Sequence, residues 1–298
     1  MSFHMKNANA RRGIQAAAIS LFALLASVAH AGWDGLNMHE GVTILSKEIY
    51  GLHMKIFYYC IAIGVVVFGV MIYSLIKFRK SQGAQADTTL VHSTKVEIIW
   101  TVIPILILVA MAIPTAKGLI KIEDMGNVAL NIKVTGYQWK WEYEYLNQDV
   151  RFFSTLARDS NAARQLGSGI DPATVPNYLL EVDNVLVIPA GTKIRFLLTA
   201  QDVIHAWWVP AFGMKKDAIP GYVNEIWVQV DADKVGTYRG QCAELCGQDH
   251  GFMPIVVEVK SPADYDVWLR AKQAEQKLAG DPTATAVVAT AVTPAVTQ

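Results

Sequence analysis

Two apolar runs, Ile56 to Ile76 and Ile98 to Ala116, hold no Asp, Glu, Lys or Arg over 21 and 19 residues, and they constrain this chain most. At 1.5 Å rise per residue, each crosses a hydrocarbon core of about 30 Å. A buried helix of a soluble domain is rarely apolar on every face over such a length, so both runs read as membrane spans, with helices over 55–78 and 96–118. Pro104 and Pro114 fit a membrane helix whose freed carbonyls find neighbouring partners. The spans also explain why 52% of the side chains are hydrophobic and why the mean hydropathy is +0.26. Arg79, Lys80 and Lys95 lie in the loop at 79–95 between the spans, with Lys77 at its edge. By the positive-inside rule that loop is cytoplasmic, and everything on either side of the hairpin is exported.

The N-terminus agrees with that orientation. Arg11 and Arg12 precede the apolar stretch Ile14 to Val28, which ends in Ala29-His30-Ala31. This is the order of a secretory leader, 1–31, with cleavage before Gly32; a retained anchor is the competing reading. An exported segment, 32–54, then leads into the first span. The place implied is the inner membrane of a bacterium, with lipid as one partner and the large C-terminal region on the periplasmic side.

That region, 127–260, reads as β-structure. Leu130, Ile132 and Val134 alternate with polar residues, then Trp139, Trp141, Tyr143 and Tyr145 alternate in the opposite phase. A β-bulge at Gly136 would account for the slip. Further strand-like runs are Val185 to Ile188, Ile194 to Leu198, Ile226 to Val230 and Ile255 to Val259. Residues 154–176 break the rhythm and read as a surface insertion. Ser261, Pro262 and Asp264 open a terminal helix over 261–278, and the small-residue tail at 279–298 is expected to be disordered. Residues 127–278 carry 18 acidic and 15 basic side chains, a balance suited to a basic protein partner. Nothing points to nucleic acid.

Chemistry concentrates in the run GQCAELCGQDHGFMP, which holds Cys242, Glu244, Cys246, His250 and Met253. Soft sulfur donors select copper or zinc, and an added thioether argues against zinc. His205, in DVIHAWWVPAFGMKKDAIPG, supplies a second imidazole from a separate segment. A mononuclear blue-copper centre needs one Cys; two thiolates four residues apart can instead bridge two coppers. Met253 and the backbone carbonyl of Glu244 would then serve as the weak axial donors. A disulfide or a zinc site would use the cysteines but leave His250 and Met253 without a task. Cys60, amid apolar residues, reads as a packed membrane-helix side chain. Short strands with a copper site at one end imply a Greek-key β-barrel.

These residues carry a resemblance. The ligand run, together with HSTKVEIIWTVIPILILV, VTGYQWKWEYEY and DVIHAWWVPAFGMKKDAIPG, resembles cytochrome c oxidase subunit II from about Leu36 to Trp268. The resemblance implies a cupredoxin-like barrel behind a two-helix transmembrane hairpin, and a binuclear copper centre, CuA, on His205, Cys242, Glu244, Cys246, His250 and Met253. It implies a one-electron relay from cytochrome c to the haem of a catalytic subunit I, which also holds copper, with subunit III alongside. Trp139 matches the position where electrons enter, and Glu97 the mouth of a proton pathway. The Glu244 carboxylate matches a ligand of Mg²⁺ or Mn²⁺ shared with the catalytic subunit. Glu144, Asp183 and Asp202 match acids that dock cytochrome c; Lys140 and Tyr222 depart from the usual pattern. A membrane-anchored copper carrier, or a copper-free quinol oxidase subunit of like topology, is the alternative; the full ligand set speaks against the latter.

Overall fold

The computed structural model describes Gly35 and residues 37–280, apart from Ala84, Ala86, Asp87 and Leu90. The expected leader at 1–31 and all but the start of the expected tail at 279–298 lie outside the described residues. Two long helices come first, α1 over Ile44–Lys77 and α2 over Thr94–Ile122. Their apolar side chains point outward, Val65 and Leu75 being 68% and 67% exposed, as suits helices whose solvent is lipid. Cys60 is exposed on α1 and is not packed within the described chain, a correction to the sequence reading.

Helix α1 starts eleven residues before the expected span. The reason is local: Thr43 and Ser46 form a reciprocal capping box, and the first three turns carry Lys47, Glu48, His53 and Lys55, which belong in water. Those turns seat the hairpin on the exported domain. The Thr43 hydroxyl donates to the Phe212 carbonyl at 2.8 Å, Leu45 is buried, and Lys47 pairs with Asp231. From α2, the Lys121 carbonyl accepts from Trp227 Nε1 at 3.2 Å. Both membrane helices therefore meet the exported domain at one end of the hairpin, with the basic loop at the other.

Ten strands follow: β1 Leu130–Tyr137, β2 Lys140–Tyr145, β3 Val150–Ser154, β4 Leu186–Pro189, β5 Ile194–Ala200, β6 His205–Val209, β7 Met214–Ala218, β8 Asn224–Val228, β9 Gly236–Cys242 and β10 Pro254–Lys260. They make two five-stranded sheets, β3-β2-β1-β5-β8 and β4-β10-β9-β6-β7, with β1 parallel to β5 and β4 parallel to β10. The inward residues of both sheets, among them Ile132, Trp141, Phe196, Trp207 and Ile255, form one core. The strand pattern led one to expect an all-β Greek-key barrel, and the domain is all-β, its two sheets packed as a sandwich or half-barrel.

The phase slip after Val134 is not a β-bulge. The chain reverses at Gln138 and Trp139, and β1 pairs antiparallel with β2, Tyr137 opposite Lys140 and Val134 opposite Tyr143. An even-numbered position thus faces an odd-numbered one across the hairpin, so the inward set changes parity with no extra residue. Trp139 consequently sits in the turn, off the strand face of Trp141.

Residues 155–185 link β3 to β4 and contain a short α-helix, α3 over Arg158–Ala163, and a 3₁₀ turn, Pro172–Thr174. They are less superficial than expected: Ser160 and Ala163 are buried, and Leu156 bridges to Val182. The terminal helix, α4 over Pro262–Gly280, begins where the sequence places it; the Ser261 hydroxyl accepts from Asp264 N at 3.2 Å. Tyr265 and Trp268 of α4 stack near Tyr145 and close the barrel side.

Candidate metal centre

His205 opens β6 and Cys242 ends β9. Those strands pair Trp207 with Cys242, and Ala243 N donates to the Ala206 carbonyl at 3.0 Å, so the imidazole and the thiol emerge side by side. Cys242 Sγ lies 4.0 Å from His205 Nδ1, 3.8 Å from Cys246 Sγ and 3.3 Å from the Glu244 carbonyl oxygen. Cys246 Sγ lies 3.5 Å from both His250 Nδ1 and Met253 Sδ. All six positions named from the sequence therefore converge. Cys242, Cys246, Met253 and His205 are buried, and both cysteines are free thiols, which removes the disulfide reading. The donor set of two sulfurs, two imidazoles, a thioether and a carbonyl suits soft, borderline metal and fits copper better than zinc.

The two thiols differ electrostatically. Burial opposes the Cys242 thiolate, but hydrogen bonds with His205 and at the Glu244 and Ala206 backbone outweigh it and bring its pKa to about 7. Burial, with the neighbouring Cys242 charge, pushes Cys246 up to about 12. His205 is raised although burial lowers it, because Cys242 and Asp202 both favour its charged form.

Asp202 is the residue whose role the sequence reading missed. Its Oδ1 sits 2.9 Å from His205 Nε2, while its carboxylate accepts from Gln138 N and Val203 N, each at 2.7 Å. These bonds lower its pKa against the opposing effect of burial. A carboxylate on the far nitrogen fixes the ring and leaves Nδ1 facing the thiols. Its place three residues before His205 was the available signal. Gly136 forms the floor: a Cβ there would stand 2.8 Å from His205 Cδ2.

Trp139 adjoins the same centre. Its Nε1 donates to the Cys246 carbonyl at 3.1 Å, and Gln138 Nε2 donates to the same oxygen at 2.9 Å. The other predicted residues stand apart. Glu97 lies in the first turn of α2, 2.9 Å from His92 Nδ1. Glu144 on β2 pairs with Lys133 at 3.8 Å. Asp183 accepts from Thr155 N at 2.7 Å and its hydroxyl at 2.9 Å. Glu244 is exposed. Lys140 rests 4.1 Å from the centre of the Phe153 ring and Tyr222 is 60% exposed.

Comparison with known proteins gives the family. The family model for the periplasmic domain of cytochrome c oxidase subunit II matches residues 130–260, and that for its transmembrane domain matches 31–117. A probable cytochrome c oxidase subunit 2 of Rickettsia bellii is 42% identical over 229 residues, which cover 76% of this chain and 80% of the relative. The chain belongs to the cytochrome c oxidase subunit II family. The Arabidopsis thaliana cytochrome c oxidase subunit 2 is 37% identical over 235 residues, covering 78% of this subunit II and 88% of that one. Among solved structures, the periplasmic domain of the Bradyrhizobium japonicum oxidase subunit II is similar with 38% identity and a TM-score of 0.44, covering 51% of this chain and 99% of that one. This subunit II is thus a component of a haem–copper oxidase complex, anchored by two apolar helices with its β-domain exported.

Proposed function

We propose that the sulfur-lined pocket carries the binuclear copper centre CuA and that the subunit uses it to relay single electrons from cytochrome c toward the haem of catalytic subunit I. One observation carries this reading: six donors from two distant segments meet in a buried pocket, each within 4.0 Å of a cysteine sulfur. Copper held there would supply a one-electron carrier.

The chain's own residues prepare the place. Cys242 and Cys246 would bridge, His205 and His250 supply nitrogen, and Met253 and the Glu244 carbonyl supply weak donors. Asp202 holds the His205 ring, and the core beneath excludes water, so little has to rearrange when charge arrives. Trp139, bonded to the Cys246 backbone and partly exposed, is the group through which an electron enters. The exposed Glu244 carboxylate, a hard oxygen donor, would hold Mg²⁺ or Mn²⁺ at the seam with subunit I. Glu97, beside His92 at the far membrane edge, would feed protons into the catalytic subunit. Glu144, Asp183 and Asp202 contribute acidic character toward a basic cytochrome c; subunit III completes the partners.

Copper counting and electron paramagnetic resonance of the purified complex test the reading. Two coppers per chain beyond those of subunit I, with a mixed-valence signal, are expected; a single ion or none in this subunit overturns it. Glu97→Gln is expected to slow proton uptake with copper unchanged, and unaltered turnover removes that assignment.

A further inference from the structure

We propose that Arg164, carried by the segment between β3 and β4, is a positioning residue that latches the His250 end of the metal loop. The proposal rests on the CuA reading for its consequence and on side-chain geometry for its substance.

The Arg164 guanidinium is used on every side. Nη1 and Nη2 donate to the two carboxylate oxygens of Asp249 at 3.3 and 3.2 Å, Nε donates to Asn161 Oδ1 at 2.7 Å, and the flat face lies 4.2 Å from the Phe252 ring centre. The pair is largely withdrawn from water, the side chains being 20% and 26% exposed. A fork on a carboxylate with stacking on an aromatic face is a geometry that Lys cannot reproduce.

What it touches decides its role. Asp249 immediately precedes His250 and Phe252 immediately precedes Met253, so Arg164 grips the chain beside two of the proposed ligands. No strand ladder holds this stretch. It is shaped by a turn, His250 N donating to the Gly247 carbonyl at 3.2 Å, and by a short 3₁₀ turn, His250–Phe252. The Met253 carbonyl at its end accepts from Trp141 Nε1 at 3.3 Å.

The latch is itself anchored. The Ser160 hydroxyl accepts from Leu179 N at 3.1 Å, and Arg239 of β9 pairs with Glu181 at 2.7 Å, tying the far end of the segment to the strand that ends in Cys242. Loop and strand are thus joined through a segment that contributes no metal donor. Between the segment and the loop lies a small cavity of about 210 Å³, which Trp139, Arg164 and Asp249 help to line. Release of Arg164 would widen that cavity beside the Trp139 ring.

The test uses the intact oxidase complex with Arg164→Ala, Asp249→Ala, the double variant and Arg164→Lys. Two rates are read: loss of copper from this subunit to a Cu(I) chelator after reduction, and amide hydrogen exchange across residues 247–253. Each alanine variant is expected to lose copper about tenfold faster, the lower end of the range for residues that orient ligands. Exchange across the loop should quicken with it. The double variant should be no worse than Arg164→Ala, since the Arg164–Asp249 contact is already lost in that single. Lys should fall between Ala and Arg, and serves alone if the alanine variants fail to assemble. Parent-like exchange and copper loss in Arg164→Ala or Arg164→Lys overturn the latch, as does a double variant whose effects multiply. Absence of copper from the parent subunit would instead overturn the CuA reading, and loop exchange would still decide the latch.

Discussion

The two halves of the metal pocket are held by different means. His205 and Cys242 stand on paired strands; His205 is fully buried, braced edge-on by Trp141 with ring centres 5.8 Å apart, and held through its far nitrogen by Asp202. Cys246, His250 and Met253 lie in a loop, held by bonds from Trp139 and Gln138 to the Cys246 carbonyl and by Arg164 through Asp249. Strand ladders fix a backbone cooperatively, whereas a loop depends on a few side-chain bonds that break one at a time. The strand half therefore sets where the centre is, and the loop half sets how firmly it closes.

The severest challenge to that contrast is Gly136→Ala. The new Cβ would press on His205 at 2.8 Å, and the ring, wholly enclosed, has nowhere to go. Overpacking of this kind costs about 1 to 3 kcal/mol. Copper affinity is expected to fall about 100-fold, the upper end for displacing a ligand's support. Equilibrium titration with a competing chelator measures it, and a loss below about tenfold would mean that the strand half yields more than its burial implies.

Gly247→Ala is the matching probe of the loop. Gly247 has φ +113°, and an added Cβ would meet Gln138 Nε2 at 2.9 Å and Trp139 Cζ2 at 3.1 Å. Strain of about 1 to 3 kcal/mol then falls on the loop and on the bonds to the Cys246 carbonyl. Because a loop can shift, copper affinity should drop only about tenfold, with the larger change in the rate of reduction by cytochrome c. Stopped-flow reduction separates the two effects. A loss equal to that of Gly136→Ala would erase the distinction between the halves.

Asp202→Asn returns to the strand half with a milder change. The amide keeps an oxygen for His205 or for the backbone donors but loses the charge that accepts all three bonds at once. A roughly tenfold loss of copper affinity is expected, with the barrel's thermal stability nearly unchanged. If Asp202 served only to dock a basic partner, copper would be unaffected and only the salt dependence of reduction would move.

Much of this contrast was hidden in the sequence, for a physical reason. The ligands were legible because five of the six positions lie within twelve residues of each other. The membrane hairpin was legible because an unbroken apolar run needs no periodicity. Gly136 and Arg164 were not, since their partners are 69 and 85 residues away and glycine or arginine carries no local mark of a distant contact. Strands β3 and β7 escaped notice because they are sheet edges with exposed middles, and β6 because it is buried almost throughout and shows no alternation. Helix α1 was cut short because its first turns leave the membrane and turn polar. The turn at Gln138 and Trp139 was read as a bulge because one apolar alternation serves both explanations until the register is known.

Trp139→Phe is expected to have the smallest effect on the pocket and sharpens the comparison most finely. Phe keeps an aromatic ring in the turn and removes only the Nε1–H bond to the Cys246 carbonyl. A neutral hydrogen bond contributes about 1 kcal/mol net, and here Gln138 Nε2 still reaches the same oxygen at 2.9 Å, so about 0.5 kcal/mol, or roughly twofold in copper affinity, should be lost. Reduction by cytochrome c should slow well beyond that factor if the indole is where electrons enter. Equal and small changes in both measurements would make Trp139 a brace for the loop and nothing more. A large loss of copper would show that one bond governs closure, and that the loop half is less distributed than its several contacts imply.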